Sequence, residues 1–276
     1  MATEREFANA QAMLVRCGRA VSAYGPDVVV AGRMALVLYR LLPDAVDPGP
    51  AASTREIDVV VPRRLEVKER SIPQRLLEEH LVPYDSLGLD HRRRGKRRFQ
   101  DEAFGVDRPA PTFVEFLAPR ITDEDEMVEP QPELVASPLR YIDLLLFQPV
   151  SVVVDGVEVW VATPSMFLAQ KALMRGSDSG RREDKDLVGI WEVCLLMALR
   201  LPQERLVVDA ARAKSETWSK WLERAASTLR RLFASRISDG VVAVVAALRG
   251  QAHAPQAEEV VRVVADAVDA LFGVPR

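Results

Sequence analysis

Hydrophobic and polar positions follow two different periods along this chain, and each period predicts one type of element. Apolar residues at steps of three and four predict helices, because such steps place them on one face of a helix. These helices cover residues 4–23, 33–42 and 66–81, with two more that begin at Thr163 and Arg181. Alternating or β-branched runs predict strands. They cover residues 28–31, 56–61, 112–117, 141–147, 151–154 and 157–162, with a hairpin turn at Asp155-Gly156 between the last two.

From residue 200 onward the apolar spacing is helical throughout, so the predicted strands are confined to the earlier part of the chain. We therefore expect an α+β fold with a C-terminal helical region. The predicted domain boundary separates residues 1–199 from a helical bundle over 200–276. Within the first domain, an N-terminal helix over 4–23 precedes a core over 25–197.

Composition adds limits on the class of protein. The 276 residues are 48% hydrophobic and 28% charged, which is typical of a globular protein and not of a disordered one. A net charge of only −3 argues against nonspecific coating of nucleic acid. Two distant cysteines form no disulfide framework, the polar N-terminus differs from a signal peptide, and no apolar run approaches the length of a membrane span. We expect a cytoplasmic protein without a membrane partner.

The strongest chemical signal is the pair of carboxylates at the start of the strand over 56–61. Glu56 and Asp58 are two positions apart, so a strand directs both to the same face. Carboxylates this close repel each other unless a cation lies between them, and a divalent metal ion is the usual cation. The alternative is a solvated face of an edge strand, which the same alternation would produce.

Other residues admit a functional and a structural interpretation. Gly32 between a strand and a helix either lets backbone N–H groups approach a phosphate or simply ends the strand. Glu115 is a third carboxylate, which needs a partner or a metal if it is buried and nothing if it faces solvent. Lys171 and Arg175 share a helix face and would bind phosphate or be solvated, while Asp186 could pair with Lys185.

A basic run extends from His91 to Arg98. It would contact the phosphates of a nucleic-acid acceptor or form a solvated loop. Its arginines are Arg92, Arg93, Arg94, Arg97 and Arg98.

The order of these features resembles the minimal nucleotidyltransferase fold and its stand-alone bacterial branch, which includes AbiEii-type toxins. Three segments carry the resemblance, which covers roughly residues 25–197. The first is a hydrophobic strand, Gly32 and a helix followed by Thr-Arg-Glu-Ile-Asp-Val-Val-Val at 54–61. The second is Phe-Val-Glu-Phe-Leu at 113–117. The third is the strand and Pro-Ser helix start at 157–175, followed by Arg-Arg-Glu-Asp-Lys-Asp at 181–186.

This resemblance implies a mixed β-sheet flanked by helices. It also implies metal-dependent transfer of a nucleoside monophosphate from a nucleoside triphosphate to a hydroxyl of RNA, a protein or a small molecule. Mg²⁺ or Mn²⁺ would be held by Glu56, Asp58 and Glu115, with Lys171 and Asp186 as further catalytic residues. The nucleotide-binding residues would be Gly32, Arg33, Thr54, Arg55 and Arg175. A toxin-type relative would also have a cognate antitoxin or another neighbouring-gene product as its partner.

Three positions depart from the family pattern. Arg33 replaces a small residue, and Glu56 and Glu115 replace aspartates. A second hypothesis is therefore that the fold is retained without the chemistry, as a nucleotide- or partner-binding module. A third, a helical adaptor, requires that the first half of the chain lack the predicted order of strands.

Overall fold

The computed structural model of the chain describes residues 4–46, 54–85, 97–104, 112–122, 127–176, 184–251 and 254–273. Its strands are β1 (Val29–Ala31), β2 (Glu56–Val60), β3 (Leu81–Asp85), β4 (Arg97–Asp101), β5 (Phe113–Pro119), β6 (Val128–Gln131), β7 (Leu134–Leu139), β8 (Val150–Val154) and β9 (Val157–Val161). Its α-helices are α1 (Glu4–Val21), α2 (Gly32–Tyr39), α3 (Ile72–Glu78), α4 (Pro164–Gly176), α5 (Asp184–Leu196), α6 (Leu201–Lys214), α7 (Glu216–Leu232), α8 (Asp239–Leu248) and α9 (Ala257–Phe272).

The strands within the described residues form one mixed sheet. Its order is β3-β4-β5-β2-β1-β9-β8, with β7 paired to the end of β5 and β6 paired to β7. Strand β2 is parallel to β5 and antiparallel to β1, while β1 is parallel to β9. The predicted α+β class and mixed sheet are confirmed, and the helical-adaptor hypothesis is excluded by the strand order.

Strand β2 lies inside the sheet, between β1 and β5. Its apolar residues Ile57 and Val59 are fully buried, whereas Glu56 and Asp58 on the opposite face are half-buried. The alternation therefore places both carboxylates on one face, as predicted. The alternative of a solvated edge strand is wrong, because β2 has a neighbour on each side.

The chain divides into two compact units, Met1–Ala35 with Ala52–Ala162 and Leu36–Ala51 with Thr163–Arg276. The first unit contains the sheet, with α1 packed on β9 and α3 packed on β3. In the second unit, α4 packs on α7, α5 packs on α8, and α6 packs on α7 and α9. Helices α4 and α5 pack with the helices that follow them. The boundary between the two compact units therefore does not lie between residues 199 and 200. That domain boundary stays a prediction, since compact packing is not independent folding.

Two predicted elements differ from the structure. The strand predicted over 141–147 is wrong: Tyr141 has a φ of 61°, and a short 3₁₀ helix follows at Ile142–Leu146. The helix predicted over 66–81 is confined to α3, because the Ser71 hydroxyl caps the helix start and the Gln74 side chain completes a capping box. Within the described residues, no helix is both long and apolar enough to cross a membrane.

Four strands, β3, β4, β6 and β7, were not predicted. Strand β4 begins at Arg97, so Arg97 and Arg98 belong to the sheet and not to a loop. The remaining arginines of the basic run, Arg92, Arg93 and Arg94, lie outside the described residues.

Candidate functional site on the sheet face

The turn from β1 into α2 is built around Gly32 and Asp58. Gly32 has a φ of +60°, and β1 pairs with β2 so that Ala31 lies opposite Asp58. A Cβ atom added at residue 32 would lie 1.8 Å from Oδ2 of Asp58. Glycine is thus required both by the left-handed backbone and by the carboxylate that occupies the place of a side chain. The start of α2 faces an anionic group, as the helix dipole favours.

Glu56 is fixed at the start of β2 by its neighbour Thr54. The Thr54 hydroxyl donates to the Glu56 carbonyl oxygen at 3.0 Å, and the Glu56 N–H donates to the same hydroxyl at 3.2 Å. The backbone carbonyl of Arg55 accepts a hydrogen bond from Phe113 of β5, while the Arg55 side chain is exposed. Thr54 therefore positions the first carboxylate through its backbone.

Glu115 of β5 lies directly opposite Asp58, in parallel register. Its side chain is only 5% exposed, and both carboxylate oxygens have partners. The Ser137 hydroxyl donates to Oε1 at 3.0 Å and the Arg98 Nε donates to Oε2 at 3.3 Å. Of the alternatives for Glu115, the structure shows a buried carboxylate with protein partners.

The donor set suits a divalent cation at Glu56 and Asp58. The described residues contain no group of three or more His, Cys, Asp or Glu side chains arranged to hold a metal ion. Mg²⁺, however, is commonly held by one or two carboxylates together with substrate phosphates. Two half-buried carboxylates on one face fit that arrangement.

Arg33 follows Gly32 in the first turn of α2 and is half-buried. Its Nε atom is buried and has no hydrogen-bond partner among the described residues. A buried guanidinium nitrogen without a partner costs free energy, which an anionic ligand would offset.

The remaining predicted residues belong to the second unit. Lys171 of α4 donates to Oδ1 of Asp186 in α5 at 2.8 Å, and each side chain is about one-fifth exposed (23% and 22%). Lys171 also lies 5.7 Å from the centroid of the Phe167 ring. Arg175 is half-buried in the last turn of α4. The structure therefore pairs Asp186 with Lys171 of another helix, which the sequence alternatives did not include.

A buried cluster in the second unit was missed by the sequence analysis. Glu204 of α6 is 1% exposed, and its Oε2 accepts both the Ser165 N–H at 3.0 Å and the Ser165 hydroxyl at 2.7 Å. Burial raises the pKa of Glu204, and the Ser165 bonds and Arg200 oppose that rise. The pKa of buried Tyr39 is also raised, by burial and by the charge of Glu204. Glu204 thus holds the start of α4, the helix that carries Lys171.

The two cysteines have no chemical role in this arrangement. Both are buried and unbonded, and burial raises the pKa of Cys17 to about 12. A thiol with so high a pKa is not a nucleophile at neutral pH.

The structure therefore brings Gly32, Asp58 and Glu115 together in the first unit, with Glu56 one pleat away on β2. It brings Lys171 and Asp186 together in the second unit. Ser137 and Glu204 were missed because no motif marks them. Ser137 precedes a proline in β7, which interrupts the strand pattern, and Glu204 resembles an ordinary exposed acid of a helix start.

Comparison with known protein families agrees with the nucleotidyltransferase part of the resemblance, and the AbiEii-type branch stays a prediction. A family described as nucleotidyltransferase matches residues 12–214 of the chain. Among solved structures, an antigenic nucleotidyltransferase-like protein from Paracoccidioides brasiliensis is similar, with 16% identity and a TM-score of 0.41. That match covers 68% of this chain and 76% of the other. No curated protein matches the chain in sequence.

Proposed function

The chain belongs to the nucleotidyltransferase family, and on that premise we propose that it transfers a nucleoside monophosphate from a nucleoside triphosphate to an acceptor hydroxyl. The observation that carries this proposal is the contact between Asp58 and the glycine start of α2, with Glu56 on the same sheet face. This arrangement places paired carboxylates beside a helix N-terminus. Carboxylates bind metal ions and helix N-termini bind phosphates. A metal-bound triphosphate is one ligand that would use both features.

Glu56 and Asp58 would hold Mg²⁺ or Mn²⁺. When bound, such a cation supplies positive charge that stabilises the phosphate oxygens. Asp58 stays oriented because Gly32 leaves room for its carboxylate, and Glu56 stays oriented through Thr54.

The reaction itself is an exchange of bonds at the α-phosphorus. The acceptor oxygen forms a bond to that phosphorus, the bond to the bridging oxygen breaks, pyrophosphate leaves and the hydroxyl proton passes to solvent. Arg33 would contact the β- and γ-phosphates from the first turn of α2, with its partnerless Nε as a donor. The family resemblance also makes Lys171 and Arg175 candidates for phosphate binding.

For the acceptor we propose RNA, because the basic run offers several arginines to a phosphate backbone. The toxin-type role, with a cognate antitoxin as partner, is a further part of this proposal and rests on the resemblance to the AbiEii-type branch. We further propose a location in the cytoplasm, where two buried cysteines without a disulfide stay reduced.

The test combines metal binding with transfer of label. We expect Mn²⁺ to raise the melting temperature of the parent protein, since a ligand that binds only the folded state stabilises it. Asp58→Asn should abolish this rise while keeping or raising the melting temperature without metal, because it relieves repulsion between carboxylates. Glu158→Gln, which changes an exposed acid of β9, is the matched control and should respond like the parent.

Transfer is measured by incubating the protein with each labelled nucleoside triphosphate, Mg²⁺ and total RNA. Label in RNA that Asp58→Asn abolishes supports the proposal. The binding-module hypothesis has its own support, since Glu115 is engaged by protein partners and Arg33 replaces a small residue. Tight triphosphate binding without transfer to any acceptor would favour that alternative.

A further inference from the structure

A row of directly opposed residues crosses five strands of the sheet. Ala31 lies opposite Asp58, Asp58 opposite Glu115, Glu115 opposite Arg98, and Arg98 opposite Tyr84. Residues opposed in this way point to the same face of a sheet. The row therefore sets two acids and one base side by side on the face that carries the candidate site.

Within this row, the two acids have different surroundings. The Asp58 carboxylate is half-buried and lies against the Gly32 backbone. The Glu115 carboxylate is buried, and Ser137 and Arg98 donate to its two oxygens. A metal ion at Glu115 would have to displace the Arg98 contact, because a cation and a guanidinium at one oxygen repel each other.

Arg98 is held from two sides. Its Nε donates to Glu115, and its guanidinium carbon lies 4.1 Å from the centroid of the Phe113 ring. Phe113 is two residues before Glu115 on β5, so one strand supplies both the anion and the ring. The Arg98 side chain still keeps 23% of its surface exposed. A guanidinium fixed by an ion pair and a ring, and open to solvent, is preorganised to bind an anion.

The distance from Arg98 to the paired carboxylates Glu56 and Asp58 leaves room for a phosphate ligand between them. Arg98 is two strands from Asp58, and neighbouring strands are about 4.8 Å apart, so the two Cα atoms are about 10 Å apart. An arginine side chain and a phosphate group together span such a distance.

We propose that Glu115 is a positioning residue that orients Arg98 to bind phosphate, and that Glu56 and Asp58 hold the metal without it. This inference rests on the proposed function and departs from the family-implied set of three metal-binding carboxylates. The phosphate belongs either to the nucleoside triphosphate or to the backbone of the acceptor RNA. Both sources share the same chemistry, and the experiment distinguishes them.

The metal arm measures Mn²⁺ affinity by calorimetry, without nucleotide, in the parent, Asp58→Asn, Glu115→Gln and Arg98→Gln proteins. We expect Asp58→Asn to lower the affinity more than tenfold. Glu115→Gln and Arg98→Gln should each change it less than threefold. If Glu115 is a metal ligand that Arg98 restrains, Glu115→Gln will weaken Mn²⁺ binding as strongly as Asp58→Asn does, and Arg98→Gln will strengthen it. That pair of results overturns the proposal.

The phosphate arm measures binding of ATP and of a fluorescein-labelled single-stranded RNA, each without metal. Arg98→Gln should lower the affinity for one of them about tenfold, and the ligand affected identifies the source of the phosphate. Glu115→Gln should lower the same affinity about threefold to tenfold, and the double variant should be no weaker than Arg98→Gln alone, because both changes act through one side chain. Unchanged affinity for both ligands in Arg98→Gln overturns the proposal.

A matched control separates positioning from general stability. Arg16 of α1 pairs with Asp101 of β4 in the same unit, and its side chain is also 23% exposed. Arg16→Gln and Asp101→Asn should reduce stability without lowering either phosphate affinity selectively. A parent protein that binds no Mn²⁺ would contradict the proposed function, whereas the metal-free phosphate arm would still decide the role of Arg98.

Discussion

The sheet face of the first unit and the helices of the second unit differ in how closely they place acidic side chains to one another. In the second unit, two partly or fully buried acids pair with cations from other segments, Asp186 with Lys171 at 2.8 Å and Glu192 with Arg40 at 2.9 Å. On the sheet, Asp58 and Glu115 lie opposite each other on adjacent parallel strands, and Glu115 accepts hydrogen bonds from Arg98 and Ser137.

This difference affects where a cation can bind. Partly exposed ion pairs between helices contribute modestly to stability. On the sheet, strand register fixes the separation of Asp58 and Glu115, so these two acids cannot relieve their repulsion by moving apart. A cation that binds beside Glu56 and Asp58 on the sheet face would reduce this repulsion.

The largest expected loss of stability comes from a substitution at Gly32, which lies against the Asp58 carboxylate. Gly32→Ala should destabilise the protein by about 3–5 kcal/mol, because the new Cβ clashes with the carboxylate and the backbone is left-handed. Urea denaturation measures the change. Gly156→Ala has a similar φ of +78° with open space around it, so it should cost only about 1 kcal/mol. Equal costs at both positions would show that the Asp58 contact is unimportant.

A smaller loss is expected in the helical unit at Glu204. Glu204→Ala leaves the Ser165 N–H and hydroxyl buried without an acceptor, so it should destabilise by about 2–3 kcal/mol in the same urea assay. A loss below about 0.5 kcal/mol would contradict the role of Glu204 as the cap of α4.

The companion variant Glu204→Gln keeps an acceptor and removes the titration. A raised pKa in the folded protein means that the folded state binds the Glu204 proton more tightly than the unfolded state. The contribution of this group is therefore full below the unfolded pKa, near 4.5, and is lost as pH rises through the raised folded pKa. Stability of Glu204→Gln relative to the parent should thus increase as pH rises from 4 to 7, and a constant difference would contradict this assignment.

The ion pair between Lys171 and Asp186 either only stabilises the helices or leaves Lys171 able to bind a ligand as well. Lys171→Met should lower ATP affinity about fivefold if Lys171 supplies charge to the triphosphate, with a stability loss of about 1 kcal/mol or less. Asp186→Asn breaks the same pair and keeps the lysine, so it is the matched control and should leave ATP affinity near that of the parent. Calorimetric titration measures both. Equal affinities in the two variants and the parent would reduce the pair to a structural role.

The smallest effect is expected at Arg33. Arg33→Ser should weaken binding of ATP with Mg²⁺ about threefold, because a guanidinium at the start of α2 adds charge where the dipole already favours anions. Mn²⁺ affinity should survive. Stronger ATP binding in Arg33→Ser would mean that the arginine fills the pocket, and it would favour the binding module over the enzyme. The same calorimetric titration gives the sign.

Much of the fold could be predicted because its central strands have simple sequence patterns. Strands β1, β2, β5 and the β8–β9 hairpin all follow β-branched or alternating runs. The missed strands lack such runs: β3, β6 and β7 contain prolines, and β4 is highly charged. Proline and charged residues lower the local strand propensity. In these four strands, pairing with neighbouring strands outweighs that low propensity.

The candidate site was predictable to the extent that it depends on local spacing. Alternation along β2 placed Glu56 and Asp58 on one face, and the strand-glycine-helix order placed Gly32 beside them. The partners of Glu115 were not predictable, since Ser137 and Arg98 reach it only through the pairing of three strands. Register between distant strands has no local signal.

The pairing of Val30 with Val161 has a consequence for how the chain folds during synthesis. Strand β1 needs β9 as its parallel neighbour, and the sheet cannot close until the ribosome has added the roughly 130 residues between them. At about 5–20 residues per second, β1 can pair with β2 early but lacks β9 for on the order of ten seconds. Long-range parallel pairing of this kind also slows folding. The newly made N-terminal segment therefore exposes apolar strand residues to solvent before β9 can cover that edge of β1.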